Sequence, residues 1–257
     1  MLLRIEDTDT TRCKREFEDA IVEDLGWLGV AFDASPRRQS DHLEDYAVAF
    51  DELAARGLVY PCLCTRGQML GASGGARDPD GGALHLGRCV GVSDAETRAR
   101  IAAGEPAAWR IDMRRALAEI SAPLSWSELY EGEKAFRVEA TPFAWGDFLL
   151  RGKQRAATYH LAVVVDDALQ AVTDVLRGRD LFAATSIHAL LQALLRIEPP
   201  RYRHHRLVLD ATGAKMSKSA ASQPLAVLRK AGYSARDLRA ALGFDDQAAR
   251  RFEAAFS

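Results

Sequence analysis

No stretch of these 257 residues approaches the ~18–20 apolar residues that a membrane-spanning helix needs. The opening MLLRIEDTDTTRCK has no apolar segment behind a basic one, so it does not read as a signal peptide. Basic charge is not in surplus either: 34 Lys and Arg face 36 Asp and Glu, for a formal net charge of −2. That excludes nucleic-acid binding by bulk positive charge and leaves room only for a local patch. Lysine itself is scarce, six in all, and two of the six fall within Lys215–Ser219. Internal repeats and low-complexity tracts are absent. Hydrophobic residues at 48% and charged residues at 27% exclude wholesale disorder and allow a large core. The expectation is a soluble, cytoplasmic chain forming one large domain or a domain with an insertion. Cysteine is confined to Cys13, Cys62, Cys64 and Cys89. Such a compartment keeps thiols reduced, so clustered cysteines point to metal rather than disulfides.

What is present alternates between helical and extended patterns. Phe17, Ile21, Leu25 and Leu28 recur at helical spacing from Arg15 to Leu28. Leu43, Tyr46, Ala47, Phe50, Leu53 and Ala54 do so again, with Ser40 or Asp41 as a cap and Gly57 just past the end. Leu2–Ile5 and Leu58–Cys62 read as short strands. Residues 67–88 are dense in glycine and poor in large apolar side chains, so they form a loop that is either loose or stapled. Ser93–Ala103 reads as a capped helix and Ala107–Asp112 as a strand. The continuous β-branched run Leu161–Val165 predicts a strand buried on both faces, ending at Asp166–Asp167. A strand over Ala171–Leu176, a helix near Thr185–Leu195, a strand over His205–Leu209 and a helical tail from Pro224 follow. Together these give an α/β class with an open, mostly parallel sheet.

Two constellations carry chemistry. Lys215–Met216–Ser217–Lys218–Ser219 follows Asp210–Ala–Thr–Gly213 on a loop between a strand and a helix. Two ammonium groups and two hydroxyls behind a glycine suit a triphosphate; a solvated basic turn is the plainer alternative. Cys62, Cys64, His85 and Cys89 make a Cys₃His set suited to one tetrahedral Zn²⁺. Four protein ligands leave no open position, which favours a structural metal, and ordering by metal explains how so core-poor a stretch could fold. Two packed cysteines and an unrelated third are the alternative.

The KMSKS pentapeptide resembles the signature loop of class I aminoacyl-tRNA synthetases. Arg4–Ile5–Glu6–Asp7–Thr8–Asp9, Tyr159 ahead of Leu161–Asp167, and Leu176–Arg177–Gly178–Arg179–Asp180–Leu181 resemble the glutamyl branch of that class. The resemblance runs from residue 2 to residue 219 and implies a Rossmann-like catalytic core, with a zinc-binding insertion at 61–103 and the KMSKS loop and helical tail at 210–257. It implies that Glu6 pairs with the ammonium of glutamate and that Tyr159 and Arg177 bind the amino acid. It also implies ATP as substrate, with Mg²⁺, and that Lys218, supported by Lys215, meets the charge on the leaving phosphates. Asp7 and Asp9 read equally well as capping acids, and Asp166 and Asp167 as a turn. Only 38 residues follow Ser219, too few for the helical anticodon-binding domain of full glutamyl-tRNA synthetases. The compact form is similar to the glutamyl-queuosine tRNA(Asp) synthetases, which implies glutamate transfer to the queuosine base of tRNA(Asp). That subfamily has a Cys-x-Cys … Tyr-x-x-x-Cys zinc site, and His85 stands here in place of the tyrosine.

The class also carries a His-x-Gly-His-type motif after an Arg-Phe-Ala-Pro-Ser-Pro-Thr-Gly phrase, and neither lies in these residues. Residues 1–257 taken alone are therefore expected to keep zinc yet to fail glutamate-dependent ATP–pyrophosphate exchange. Two rival readings stay open: a fragment of a glutamyl-tRNA synthetase that charges tRNA(Glu), and a non-catalytic tRNA-binding remnant. The basic run Arg201–Arg206 suits either a phosphate contact or a solvated face.

Overall fold

The structure is a computed structural model that describes residues 1–9, 13–87, 92–130, 134–209, 213, 215–216 and 224–244. The described residues fall into two compact units. The smaller takes residues 1–5, those from 13 to 37 and those from 207 onward; the larger takes 6–9 and 38–206.

In the smaller unit, strand β1 (Arg4–Ile5) is followed by helix α1 (Arg15–Trp27). The Arg37 amide donates to the Leu3 carbonyl at 3.2 Å, at the start of the short strand β2 (Arg37–Arg38). Two further helices, Leu225–Lys230 and Ala235–Ala241, match the expected helical tail. The second begins with a reciprocal cap in which Ser234 and Asp237 satisfy each other's backbone amides. Arg229 ties this tail to α1 through Glu23, at 2.9 Å.

The larger unit holds the main core. Helix α2 (Leu43–Ala55) buries Tyr46, Phe50 and Leu53, the face expected from their spacing, and is entered through a 3₁₀ turn at Gln39–His42. Strand β3 (Val59–Cys62) pairs antiparallel with β4 (Ala108–Ile111), and β4 pairs with β7 (Leu149–Arg151). Between β3 and β4 lie helix α3 (Arg66–Ala72) and helix α4 (Asp94–Ala102). The glycine-dense stretch is thus not a bare loop. Thr65 and Gln68 cap α3 reciprocally, and Asp78 closes a tight turn by accepting from the amides of Asp80 and Gly82. Ser93 caps α4, as expected from its sequence. A small apolar cluster of Cys62 and Leu63, flanked by Cys64, Val92, Ile101 and Ala107, stands apart from the main core.

After α5 (Met113–Ala118) comes a four-stranded sheet in the order β6-β5-β9-β8. Its strands are β5 (Ser125–Leu129), β6 (Ala135–Glu139), β8 (Asp174–Gly178) and β9 (Arg201–His205). The pairs β5–β9 and β8–β9 are parallel, and β5–β6 is antiparallel. Helix α7 (Thr185–Leu194) crosses from β8 to its parallel neighbour β9, which makes a βαβ unit.

Three strand expectations are corrected here. Leu161–Val165 is not a strand but the middle of helix α6 (Tyr159–Leu169). Every residue from Leu161 to Asp167 is buried, because α6 is enclosed by the core that includes α2 and α7. A helix buried all round shows no polar face, so a short apolar run cannot tell it from a buried strand, and packing here outweighs the β preference of valine. Asp166 and Asp167 therefore end a helix. Asp166 is fully buried and accepts from Tyr46 Oη and Gln39 Nε2, each at 3.0 Å. The following strand begins at Asp174 rather than Ala171, since Ala171 turns the chain at φ +50°. The strand expected at His205–Leu209 is likewise displaced to Arg201–His205.

Candidate amino-acid and metal sites

Arg177 lies near the carboxyl end of β8, where open α/β sheets place ligands. Tyr159 opens α6, and its hydroxyl is 3.4 Å from Arg177 Nη1. The structure thus brings the two side chains together. Arg177 is ringed by groups that reading missed. Its Nε donates to His204 Nε2 at 3.0 Å, Nη1 to His188 Nδ1 at 3.1 Å, and Nη2 to Thr185 Oγ1 at 2.6 Å and to the Leu181 carbonyl at 3.3 Å. The guanidinium also lies over the Tyr202 ring, 4.9 Å from its centroid. His160 sits behind His188, ring nitrogen to ring nitrogen at 3.1 Å. Burial, and after it the Arg177 charge, pushes the His160 imidazole down to about 4. The Arg201–Arg206 run does not form one basic face: the His204 side chain is enclosed, while Arg201 pairs with Asp174 at 2.7 Å.

The acids near the start of the chain separate by burial. Glu6 is exposed. Asp7 is buried and accepts from the Ser40 amide at 2.8 Å, from Ser40 Oγ at 2.6 Å and from Arg38 at 2.9 Å. It therefore anchors the turn into α2 by a contact across the chain, rather than capping a helix. Asp9 pairs with Arg155.

Cys62, at the end of β3, Cys64 and His85 bring their ligand atoms within 4.8 Å of one another. Cys62 Sγ is 3.7 Å from His85 Nε2. A tetrahedral ion with sulfur at ~2.3 Å and nitrogen at ~2.0–2.1 Å would hold the two about 3.6 Å apart. The donor set therefore fits a four-coordinate metal. Cys89, the fourth residue of the set, lies outside the described residues. The imidazole is oriented by groups with no motif of their own. Tyr60 Oη donates to Asp147 Oδ2 at 2.6 Å, so its oxygen accepts from His85 Nδ1 at 3.1 Å and leaves Nε2 to face the sulfurs. The backbone fixes the same arrangement: the Asp147 amide donates to the His85 carbonyl at 2.7 Å. Gly146 lies beside that contact at φ +54°, where an added Cβ would stand 2.3 Å from the carbonyl oxygen.

Charge separation follows from this geometry. Burial alone would raise the Cys62 thiol, but hydrogen bonding from His85 and Arg110 outweighs it and holds the group down at about 6. Burial would lower the His85 imidazole, yet Asp147 and Cys62 raise it to about 9. Desolvation opposes the Asp147 charge, and hydrogen bonds from His85, Tyr60 and the Met113 amide overcome it and keep the carboxyl low.

Of the KMSKS pentapeptide, Lys215 and Met216 are described. Lys215 bridges antiparallel to Leu209, and the Met216 amide donates to the Val208 carbonyl at 3.0 Å. Lys218 lies outside the described residues.

Comparison with known proteins agrees with this architecture. Residues 1–246 match the model of the family described as tRNA synthetases class I (E and Q), catalytic domain. A glutamyl-Q tRNA(Asp) synthetase of Rhodobacter capsulatus is 38% identical over 248 residues, 94% of this chain and 87% of that one. Another, of Leptothrix cholodnii, is 39% identical over 252 residues, 97% of this chain and 80% of that one. Among solved structures, a glutamate tRNA ligase from Elizabethkingia meningosepticum in complex with its amino acid superposes with a TM-score of 0.65 at 23% identity. That likeness, which shows the fold, covers 85% of this chain and 45% of the ligase. With its α/β core and a match over nearly its whole length, the chain belongs to the class I tRNA synthetases of the glutamyl and glutaminyl kind, by their catalytic domain.

Proposed function

We propose that this chain is a ligase that activates glutamate with ATP and transfers it to the queuosine base of tRNA(Asp). The observation that carries the reading is a match of more than nine-tenths of the chain to proteins named for that reaction, joined to an Arg177–Tyr159 pair at the carboxyl end of β8. The chemistry runs through glutamyl-adenylate with release of pyrophosphate, then esterification of the tRNA. No covalent enzyme intermediate is needed, so the enzyme works by positioning and by electrostatic stabilisation. Arg177 offers a carboxylate one Nη1 N–H, held in place by its other bonds, and Tyr159 a hydroxyl beside it. Glu6 pairs with the substrate ammonium. Lys218 meets charge growing on the pyrophosphate, with Lys215 in support, and Mg²⁺ accompanies the nucleotide.

Residues 61–103 form the metal-binding insertion and 210–257 the KMSKS loop and tail. Cys62, Cys64, His85 and Cys89 hold one Zn²⁺, which ties the insertion together and leaves no open position for catalysis. His85 serves through Nε2, and its second nitrogen, turned to Tyr60 and Asp147, gives the imidazole the orientation that metal-bound histidines share.

The test is transfer of labelled glutamate to queuosine-containing tRNA(Asp), to tRNA(Asp) lacking queuosine, and to tRNA(Glu). Residues 1–257 and an N-terminally extended form are compared. Label on the queuosine-containing tRNA alone supports the reading. Label on the 3′ end of tRNA(Glu) overturns it.

A further inference from the structure

We propose that the Glu128–His204 pair and His188 are positioning residues that lock the Arg177 guanidinium, so that its Nη1 edge beside Tyr159 is the one a substrate carboxylate takes. The proposal rests on the reading of Arg177 as the glutamate-binding arginine. Its starting point is that arginine only donates hydrogen bonds. His204 Nε2 therefore accepts from Arg177 Nε, which puts the His204 proton on Nδ1, facing Glu128 at 2.8 Å. His188 Nδ1 accepts from Arg177 Nη1, which puts that proton on Nε2, facing His160 Nδ1. The two imidazoles are thus held neutral and in opposite tautomers by one guanidinium. A second proton on either ring would set donor against donor.

Glu128 is itself fixed. It is buried on β5, accepts from Trp126 Nε1 at 3.1 Å and takes the His204 backbone amide at 2.9 Å. The chain Glu128–His204–Arg177 thus crosses three neighbouring strands, β5, β9 and β8. Each of the five N–H donors of Arg177 has a protein acceptor: His204, His188, Thr185, the Leu181 carbonyl and Tyr159. The Tyr159 contact, at 3.4 Å, is the longest of them and lies on the Nη1 side. It is the contact a carboxylate replaces at least cost, with the tyrosine hydroxyl turning to donate to the same ligand. The remaining four bonds keep the fork from rotating, which is what a site needs if it is to distinguish a carboxylate by geometry.

Two measurements test this. Long-range ¹⁵N–¹H correlation on histidine-labelled protein at neutral pH reads the tautomers, with assignment by His204→Gln and His188→Gln. The expected result is Nδ1–H for His204 and Nε2–H for His188; the reverse, or one tautomer for both, overturns the proposal. Calorimetric titration of glutamate is the second. His204→Leu is expected to weaken glutamate about tenfold with ATP affinity unchanged. His204→Gln, whose side-chain oxygen reaches the place of Nε2, should stay within about threefold of the parent. Equal losses for both ligands, or no rescue by glutamine, mean a merely structural role and overturn it. The underlying reading fails separately, if the tautomers are as expected and Arg177→Lys leaves glutamate affinity unchanged.

Discussion

The Arg177 cluster and the Cys62–Cys64–His85 cluster both set histidines among polar partners in the larger unit, and they do opposite things with charge. Around Arg177 the fixed cation disfavours protonation, and His160 and His204 are both held below the ordinary imidazole value. Burial is the leading cause for each. Around Cys62 the partners are a thiol and a carboxylate, and His85 is raised instead. The lesson is that burial lowers all three imidazoles, and only at His85, hydrogen-bonded to both Asp147 and Cys62, do the partners outweigh it; at His204 the Glu128 carboxylate does not. The first cluster is complete without a ligand. The second separates charge between sulfur and imidazole, and its donors are spaced to suit a metal.

The metal cluster should break most completely. Changing Cys62 and Cys64 together to serine is expected to take zinc from about one ion per chain to near zero, and to open residues 65–87 to protease. Metal analysis with limited proteolysis checks this; stoichiometric zinc retained in the double variant removes these cysteines from the site. The Arg177 cluster should be spared, since the metal set shares no hydrogen bond with it among those described.

A smaller effect separates the clusters by pH. His160 is ordinarily near 6.5 when unfolded and about 4 in the fold. Between those values the unfolded chain binds more protons, so stability falls as pH is lowered through that window and rises as pH is raised. The full cost is about 3 kcal/mol below pH 4, of which about 1 kcal/mol is felt by pH 5.5. Denaturant unfolding at pH 7.5 and 5.5 checks the sign, and His160→Asn, which keeps an acceptor near Nδ1, should flatten the slope. A slope unchanged in that variant assigns the dependence to other groups.

The two regions also differ in how far their residues could be read from the chain. Cys62, Cys64 and His85, the proposed metal ligands, stand out in the chain because thiols and imidazole are chemically distinctive and here lie close in sequence. Tyr159 and Arg177 were found through resemblance, not through spacing. Glu128 and His188 carried no signal, and His204 was legible only as part of the basic run Arg201–Arg206. They come from β5, α7 and β9, and only strand pairing across some 75 residues sets Glu128 beside His204. Tyr60 and Asp147 were invisible for the same reason. At the level of the fold, α2 and α4 were legible because each has one apolar face or a capping residue at its start. Helix α6 was not, since a helix enclosed on all sides has no polar face to give a period. The hairpin of β5 and β6 also passed unread, its five-residue strands having only one clearly buried stretch, in β5.

The claim on which the rest depends is that glutamate binds through Arg177, independently of the metal cluster. Calorimetric titration of glutamate into the parent, Arg177→Lys and the Cys62/Cys64 double serine variant tests it most directly. The account predicts a loss of roughly 10- to 100-fold for Arg177→Lys, because a lysine ammonium cannot keep the bonds to His204, His188, Thr185 and Leu181 that fix the donor facing the ligand, and a change within about twofold for the double variant. Undiminished affinity in Arg177→Lys, or an equal loss in both variants, would contradict it.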